Sequence, residues 1–449
     1  MPCFISEIVL SRYYLSLCLL VAACSGEKDA ASSKQEQKTV EPTQGPASGQ
    51  VKQVDSPPAK VAPSYQDELK KLDARIANQL DRQQKLPKSA VVRSQLAGLY
   101  SSRAKLTGKY EEYDKAKAVL DPAFTSDGAG AFPARASLRY TLHDMEGALE
   151  DVQRAMAPPQ VKTAGLYSLR GSLHFHAARY DEALKDLEAA VALKRSPSTL
   201  SRLAHYHWKT SDFDKAETLY TEAESRYHGR EAETRAWIHL MRGLMDLERG
   251  RYDDALAHYQ DADAAMTGWW LVREHMAEIH FLQGDLEGAA KIYKDVVEET
   301  ESPELMAAYS EVLEKQGKAD EAKAQHASAA IVFESRLKKW PSASSGHALE
   351  FFLEGDEPKR ALALAQENHK RRPGGEATTL LARAYLGVKD VDKAVEMIEK
   401  VEGTPYRTAD YHVVASEVFA AKGDSERAQK ENALAMKIDQ SVEALKAAP

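Results

Sequence analysis

Within residues 164–197 stands the segment Gly165–Pro197, GLYSLRGSLHFHAARYDEALKDLEAAVALKRSP. Within 236–267 stands Trp237–Ala265, WIHLMRGLMDLERGRYDDALAHYQDADAA. The two align without a gap on Gly171 with Gly243, Tyr180 with Tyr252, Ala183 with Ala255, and Ala190 with Ala262. Extended outward, the alanine position recurs ten times, at Ala116, Ala148, Ala183, Ala216, Ala255, Ala289, Ala322, Ala361, Ala394 and Ala428. Repetition at a period of 20–50 residues marks a stacked array of small units rather than a globular core.

Each alanine has the same surroundings. Twelve residues earlier comes a small residue in nine of ten cases, such as Ala104, Ala136, Gly171 and Gly243, with Leu349 the exception. Three residues earlier an aromatic or large apolar residue is common (Tyr113, Tyr180, Phe213, Tyr252). Positions four and seven residues later continue one helical face. Small residues facing each other on two helices let the axes approach closely. Breaker-rich turns such as Arg249-Gly250, Gly284-Asp285, Gly317-Lys318 and Gly423-Asp424 separate the halves. The unit is a helix–turn–helix.

This pattern resembles the tetratricopeptide repeat (TPR) over about residues 97–440, and is similar to it ten times in register. The resemblance implies an all-α, right-handed α-solenoid of about ten repeats, with a concave groove lined by each repeat's first helix. Each unit buries its face only against its neighbours. Repeat eight departs most, with Leu349 for a small residue and Pro358 for an aromatic, and Trp340-Pro341 is expected to kink the stack. Two spacings of 39, before Ala255 and Ala361, and an extra stretch near Trp269-Trp270 also depart.

The family's groove offsets place Phe175, His205, Trp208, Trp237, Leu240, Leu244, Leu247, Glu278 and Phe281 on the inner wall. They form an apolar stripe expected to be exposed and to take an apolar peptide segment, since such patches mark interaction surfaces. Lys209 is the only basic residue among the groove positions considered, so no clamp for a C-terminal carboxylate is expected.

The first residues read as an address. Residues 13–23, YYLSLCLLVAA, form an apolar run too short to span a bilayer. It ends in Leu20-Val21-Ala22-Ala23-Cys24-Ser25, which resembles the lipobox of bacterial lipoproteins. That resemblance implies a signal peptide over 1–23, cleavage before Cys24 and acylation, palmitate included, of Cys24. Several acyl chains at about 0.8 kcal/mol per buried CH₂ would hold it on a membrane. Ser25, not Asp, after the cysteine points to the periplasmic face of the outer membrane of the cell envelope. Residues 24–63 lack aromatics, carry Pro42, Pro46, Pro57, Pro58 and Pro63, and read as a disordered tether. As a coil it reaches roughly 35 Å. Residues 64–88 read as an amphipathic helix on Leu69, Leu72, Ile76 and Leu80; repeats one to seven then occupy 89–340, and divergent repeats eight to ten with a C-terminal cap 341–449.

Of 449 residues, 60 are Lys or Arg and 68 are Asp or Glu, a net charge of -8, which argues against nucleic acid as the partner. The three cysteines, Cys3, Cys18 and Cys24, all precede the repeats, so the repeats hold no disulfide and no thiolate chemistry. No phosphate loop, HExxH or GxSxG occurs. His174/His176 and His205/His207 are spaced i, i+2, which splits the rings over different faces. The sequence thus predicts no catalytic set, no cofactor, no metal and no small-molecule substrate. It predicts a membrane-anchored protein–protein scaffold of the envelope, or alternatively a glycan-binding accessory of polysaccharide or pilus export.

Overall fold

The computed structural model describes residues 63–442, apart from 125–129, 159–161, 230 and 356. The signal peptide, Cys24 and all of the tether but its last residue lie outside the described residues. Among those described, regular structure is helical, with one isolated bridge between Ser64 and Thr267. No helix among the described residues is long and apolar enough to cross a membrane.

A single helix, α1 (Tyr65–Lys85), leads the array, capped by the Ser64 hydroxyl accepting from the Asp67 N–H at 3.1 Å. Ten helical hairpins follow. They are α2 (Ala90–Thr107) with α3 (Glu111–Leu120), α4 (Phe132–Thr141) with α5 (Met145–Met156), and α6 (Ala164–His176) with α7 (Tyr180–Leu193). Next come α8 (Pro197–Lys209) with α9 (Phe213–Ser225), α10 (Ala232–Leu247) with α11 (Tyr252–Ala265), and α12 (Trp270–Leu282) with α13 (Leu286–Thr300). The array ends with α14 (Pro303–Lys315) and α15 (Ala319–Lys339), α16 (Pro341–Glu354) and α17 (Pro358–Arg371), α18 (Gly375–Gly387) and α19 (Val391–Glu402), and α20 (Ala409–Lys422) and α21 (Ser425–Ile438).

All ten register alanines lie in the second helices, and all are buried. Their small partners twelve residues earlier lie in the first helices and are buried too. At Gly171 a Cβ would fall 2.8 Å from the Leu187 side chain, and at Gly243 2.3 Å from the Tyr259 ring. The large residue four positions after the alanine therefore fills the space its partner lacks.

The turn inside the hairpin is a helix stop with a left-handed residue. It sits five residues before the alanine in eight repeats, at His143, Ala178, Ser211, Gly250, Gly284, Gly317, Lys389 and Gly423. The N–H of the next residue reaches back to a carbonyl of the first helix's last turn, as in Arg179 to His174 at 2.9 Å and Asp424 to Phe419 at 2.9 Å. This is a Schellman stop, which satisfies carbonyls that the helix end would leave free.

Repeat eight is regular. Pro358 opens α17, where a proline N–H would have no partner anyway, and Leu349 is buried. Trp340-Pro341 is a junction: Pro341 opens α16, and the Trp340 Nε1–H donates to Asp114 Oδ1 at 3.0 Å. The 39-residue spacing before Ala361 goes into α15, at 21 residues.

The hairpins wind so that the chain returns onto itself six repeats later. Tyr65 N–H donates to Thr267 O at 2.9 Å, Gly374 N–H to His176 O at 2.8 Å, and Arg407 N–H to Lys209 O at 2.9 Å. His143 stacks on His347 at 6.3 Å between centroids. The Tyr252 hydroxyl donates to Ser441 Oγ at 3.0 Å. Gly374 and Arg407 each join the segment entering a repeat to the end of the first helix six repeats earlier, and Thr267 does the same to α1. Trp270 adds a bond from its indole N–H to Leu106 O at 2.7 Å, and that is the role of the extra stretch around Trp269-Trp270.

Candidate functional site

The expected apolar stripe is present in position but closed. Leu240, Leu244 and Leu247 are buried, and Trp208 is 2% exposed. The Trp208 Nε1–H donates to Glu248 Oε2 at 2.9 Å, while Lys209 pairs with the same carboxylate and lies 4.1 Å above the indole. Phe175 meets Tyr180, His205 and Tyr206 edge to face, and Tyr406 closes over it at 6.5 Å. Phe281 is half-buried. Tyr406, from the segment entering the tenth repeat, thus covers Phe175, whereas Trp208 is enclosed by Lys209 of its own repeat and Glu248 of the next.

Glu278 belongs to an ion cluster on α12. His275 places Nδ1 3.1 Å from Glu278 Oε2 and Nε2 2.9 Å from Glu274 Oε1, and the three are buried. Two carboxylates hold the imidazole charged, up to about 9, against the opposing effect of burial. Burial pushes the Glu274 carboxyl up to about 7. The Tyr259 ring stacks on the imidazole at 5.4 Å. Glu278 is thus hydrogen-bonded to the imidazole, while both Glu274 oxygens and His275 Nε2 have no hydrogen-bond partner.

What remains open is a cleft at the N-terminal end of the inner face, with a volume of about 620 Å³. Its walls are α1, α2, α4 and the start of α10. On α2 the inner positions Ser94, Gly98, Ser101 and Ser102 are small, and a Cβ at Gly98 would meet nothing within 4 Å. That row leaves the space. The rim from α1 brings Lys71, Arg75 and Arg82, and α2 adds Lys105; Glu68, Glu231 and Glu233 face them. Arg75 and Glu231 bridge the mouth at 3.8 Å. Gln79 is fixed by donating from Nε2 to Val92 O at 3.0 Å and to Gln95 Oε1 at 2.9 Å. Burial is the main reason the Glu233 carboxyl is pushed up to about 7, with Glu231 and Glu68 raising it further and Lys105 and Arg75 opposing.

A second, smaller cavity of about 110 Å³ shares Lys105, Thr141 and Glu233 with the cleft and reaches Trp237, Trp270 and His347. Trp237, from the expected stripe, lines this smaller cavity. Neither His nor Cys lines the larger cleft, whose apolar floor is Leu72, Leu99, Leu106 and Leu169. Such a surface binds through hydrogen bonds, charge and burial. Sequence reading missed it because the family's groove offsets were applied to the middle repeats, while the row of small residues Ser94, Gly98, Ser101 and Ser102 lies on α2 of the first.

Residues 195–266 match the family model of the tetratricopeptide repeat. Over those residues the chain carries tetratricopeptide repeats. No curated protein matches it. Among solved structures, this chain is similar to the APC/C hetero-tetramer Cut9-Hcn1, at 12% identity and TM-score 0.40, over 78% of this chain and 67% of that one. It is similar to the human IFIT1 dimer with m7Gppp-AAAA, at 14% identity and TM-score 0.39, over 84% and 96%. It is also similar to the C-terminal part of a TPR repeat-containing protein from Cytophaga hutchinsonii, at 15% identity and TM-score 0.34, over 56% and 99%. A TPR array is typically a non-catalytic scaffold for other proteins.

Proposed function

We propose that the protein is an interaction scaffold of the bacterial cell envelope, held to a membrane by acylated Cys24, that receives a segment of a partner protein in the N-terminal cleft. The observation that carries this reading is the cleft itself, a cavity of about 620 Å³ walled by α1, α2 and α4. Its lining suits an extended peptide. Serine hydroxyls offer acceptors to a peptide backbone, the leucine floor takes apolar side chains, and Lys/Arg opposite Glu selects charge at the mouth. The segment is therefore mixed in character, not purely apolar as the stripe alone suggested.

The tether of about 39 residues would let the array search roughly 35 Å from its anchor, or about 130 Å when pulled straight. Placing a photo-crosslinking residue at Ser101 in intact cells, with and without Gly98→Trp, tests the reading. The expected result is a captured polypeptide that the tryptophan abolishes while helicity is unchanged. Capture that survives the filled cleft, or recovery of glycan in place of polypeptide, overturns it. For the anchor, Cys24→Ser is expected to move the protein out of the membrane fraction.

A further inference from the structure

The α10–α11 hairpin holds a second constellation, far from the cleft's chemistry. His239 projects from α10; His258 and Asp261 project from α11 at an i, i+3 spacing, on one helical face. One donor atom from each lies within 4.8 Å of the other two. His239 Nδ1 is 3.9 Å from Asp261 Oδ2, and the two imidazole centroids are 6.4 Å apart. Both Nδ1 atoms are buried and have no hydrogen-bond partner. His239 is 7% exposed, so water does not supply what the protein withholds.

The outer side of each ring is occupied. His239 Nε2 faces Glu224 Oε1 at 3.4 Å, and His258 Nε2 faces Asp246 Oδ2 at 3.5 Å. A carboxylate behind each imidazole, with the opposite nitrogen left free, is the arrangement that orients histidine toward a metal and strengthens it as a donor. The neighbouring guanidinium of Arg242 is held by Glu217 and Glu224, the latter at 2.9 Å, and Arg235 also acts on His239. Asp246 also meets Arg249 at 3.6 Å and Arg251 at 3.3 Å.

We propose that His239, His258 and Asp261 bind a divalent transition-metal ion, with Zn²⁺ the best fit, and that the ion clips the fifth repeat's two helices together. Two imidazole nitrogens and one carboxylate oxygen match zinc's ligand preference, leaving a fourth, solvent-facing position. Metal–donor bonds of about 2.0–2.1 Å need the donors closer together than they stand. Asp261 is exposed and supplies that movement by side-chain rotation. The buried, unpartnered Nδ1 of each imidazole is the atom that meets the ion.

The test uses the full chain with Cys3, Cys18 and Cys24 replaced by Ser, so that no thiolate competes. Zn²⁺ alone is titrated calorimetrically and Co²⁺ alone by visible absorption. The expected result is one equivalent bound and a tetrahedral Co²⁺ spectrum. Asp261→Asn and His258→Gln are each expected to weaken binding at least tenfold, Glu224→Gln about tenfold through the lost backing carboxylate. His228→Gln, at an exposed site away from the cluster, leaves binding unchanged. No binding by the parent, or equal binding by Asp261→Asn, overturns the proposal. Because Asp261 is exposed, that variant keeps its fold and the readout stays decisive.

Discussion

The backbone N–H of Gly375 donates to the Tyr180 hydroxyl at 2.7 Å, across 195 positions of sequence and inside the protein. Tyr180 opens α7 in the third repeat and Gly375 opens α18 in the ninth. A bond of this kind ties successive turns of the superhelix together, and its surroundings leave no slack. A Cβ on Gly375 would stand 2.2 Å from the Tyr406 ring.

Tyr180→Phe strands a buried N–H and is expected to cost about 1–3 kcal/mol. Gly375→Ala forces Tyr406 to move, at a cost of about 1–3 kcal/mol. Urea unfolding measures both. Hydrogen exchange is expected to rise in α18 and α20 before it rises in α6 and α8.

Left-handed backbone at a residue with a Cβ is a store of strain. Ala178 (φ 58°) and Lys389 (φ 64°) occupy the turn position that Gly250, Gly284, Gly317 and Gly423 fill elsewhere. Ala178→Gly and Lys389→Gly are each expected to raise stability by up to about 1 kcal/mol, and Gly423→Ala to lower it by about 1 kcal/mol. Thermal melting of the three variants checks the sign.

Acid is expected to loosen the seam between turns. Burial holds His176 down to about 3 and His347 down to about 4, with Arg372 lowering both further. In the unfolded chain the same rings titrate near 6.5. Their favourable neutral state is therefore fully present above pH 6.5 and is lost as pH falls from there toward 4. The loss for His176 is on the order of 2 kcal/mol. His176→Asn is expected to flatten the stability profile between pH 6.5 and 4; an unchanged slope counts against it.

The α12 cluster works on the other side of neutrality. His275, raised to about 9, contributes stability that is complete below pH 6.5 and fades as pH climbs through 9. Glu274, raised to about 7, also holds its proton longer in the fold, so stability falls as pH rises from about 4.5 to 7. His275→Leu leaves two buried carboxylates without their cation and is expected to cost about 3–5 kcal/mol at pH 7. Chemical denaturation at pH 7 measures it, and adding Glu274→Leu is expected to restore part of the loss.

The repeat register was legible because it is local. An alanine at a helix interface and a small residue twelve positions earlier meet within one hairpin, so Ala183 and Gly171 announce their contact in sequence. The turn was legible at Gly250 or Gly423 but not at Ala178, where tertiary packing overrides preference. The fate of Trp208 and Phe175 was not legible. Whether an inner-face side chain is open depends on the small rotation between neighbouring repeats summed over six of them, and no single motif encodes that sum. His239 and the pair His258/Asp261 likewise sit on different helices, and only the hairpin's fold brings their nitrogens to one point.

Ordinary solenoids lengthen or shorten by whole units with little penalty, because each unit answers only to the next. Here the seam at an interval of six makes length itself a constrained quantity. Deleting any one repeat from the fifth to the eighth would carry Gly375 past Tyr180 and Arg407 past Lys209 together, so a modular architecture has become an indivisible one.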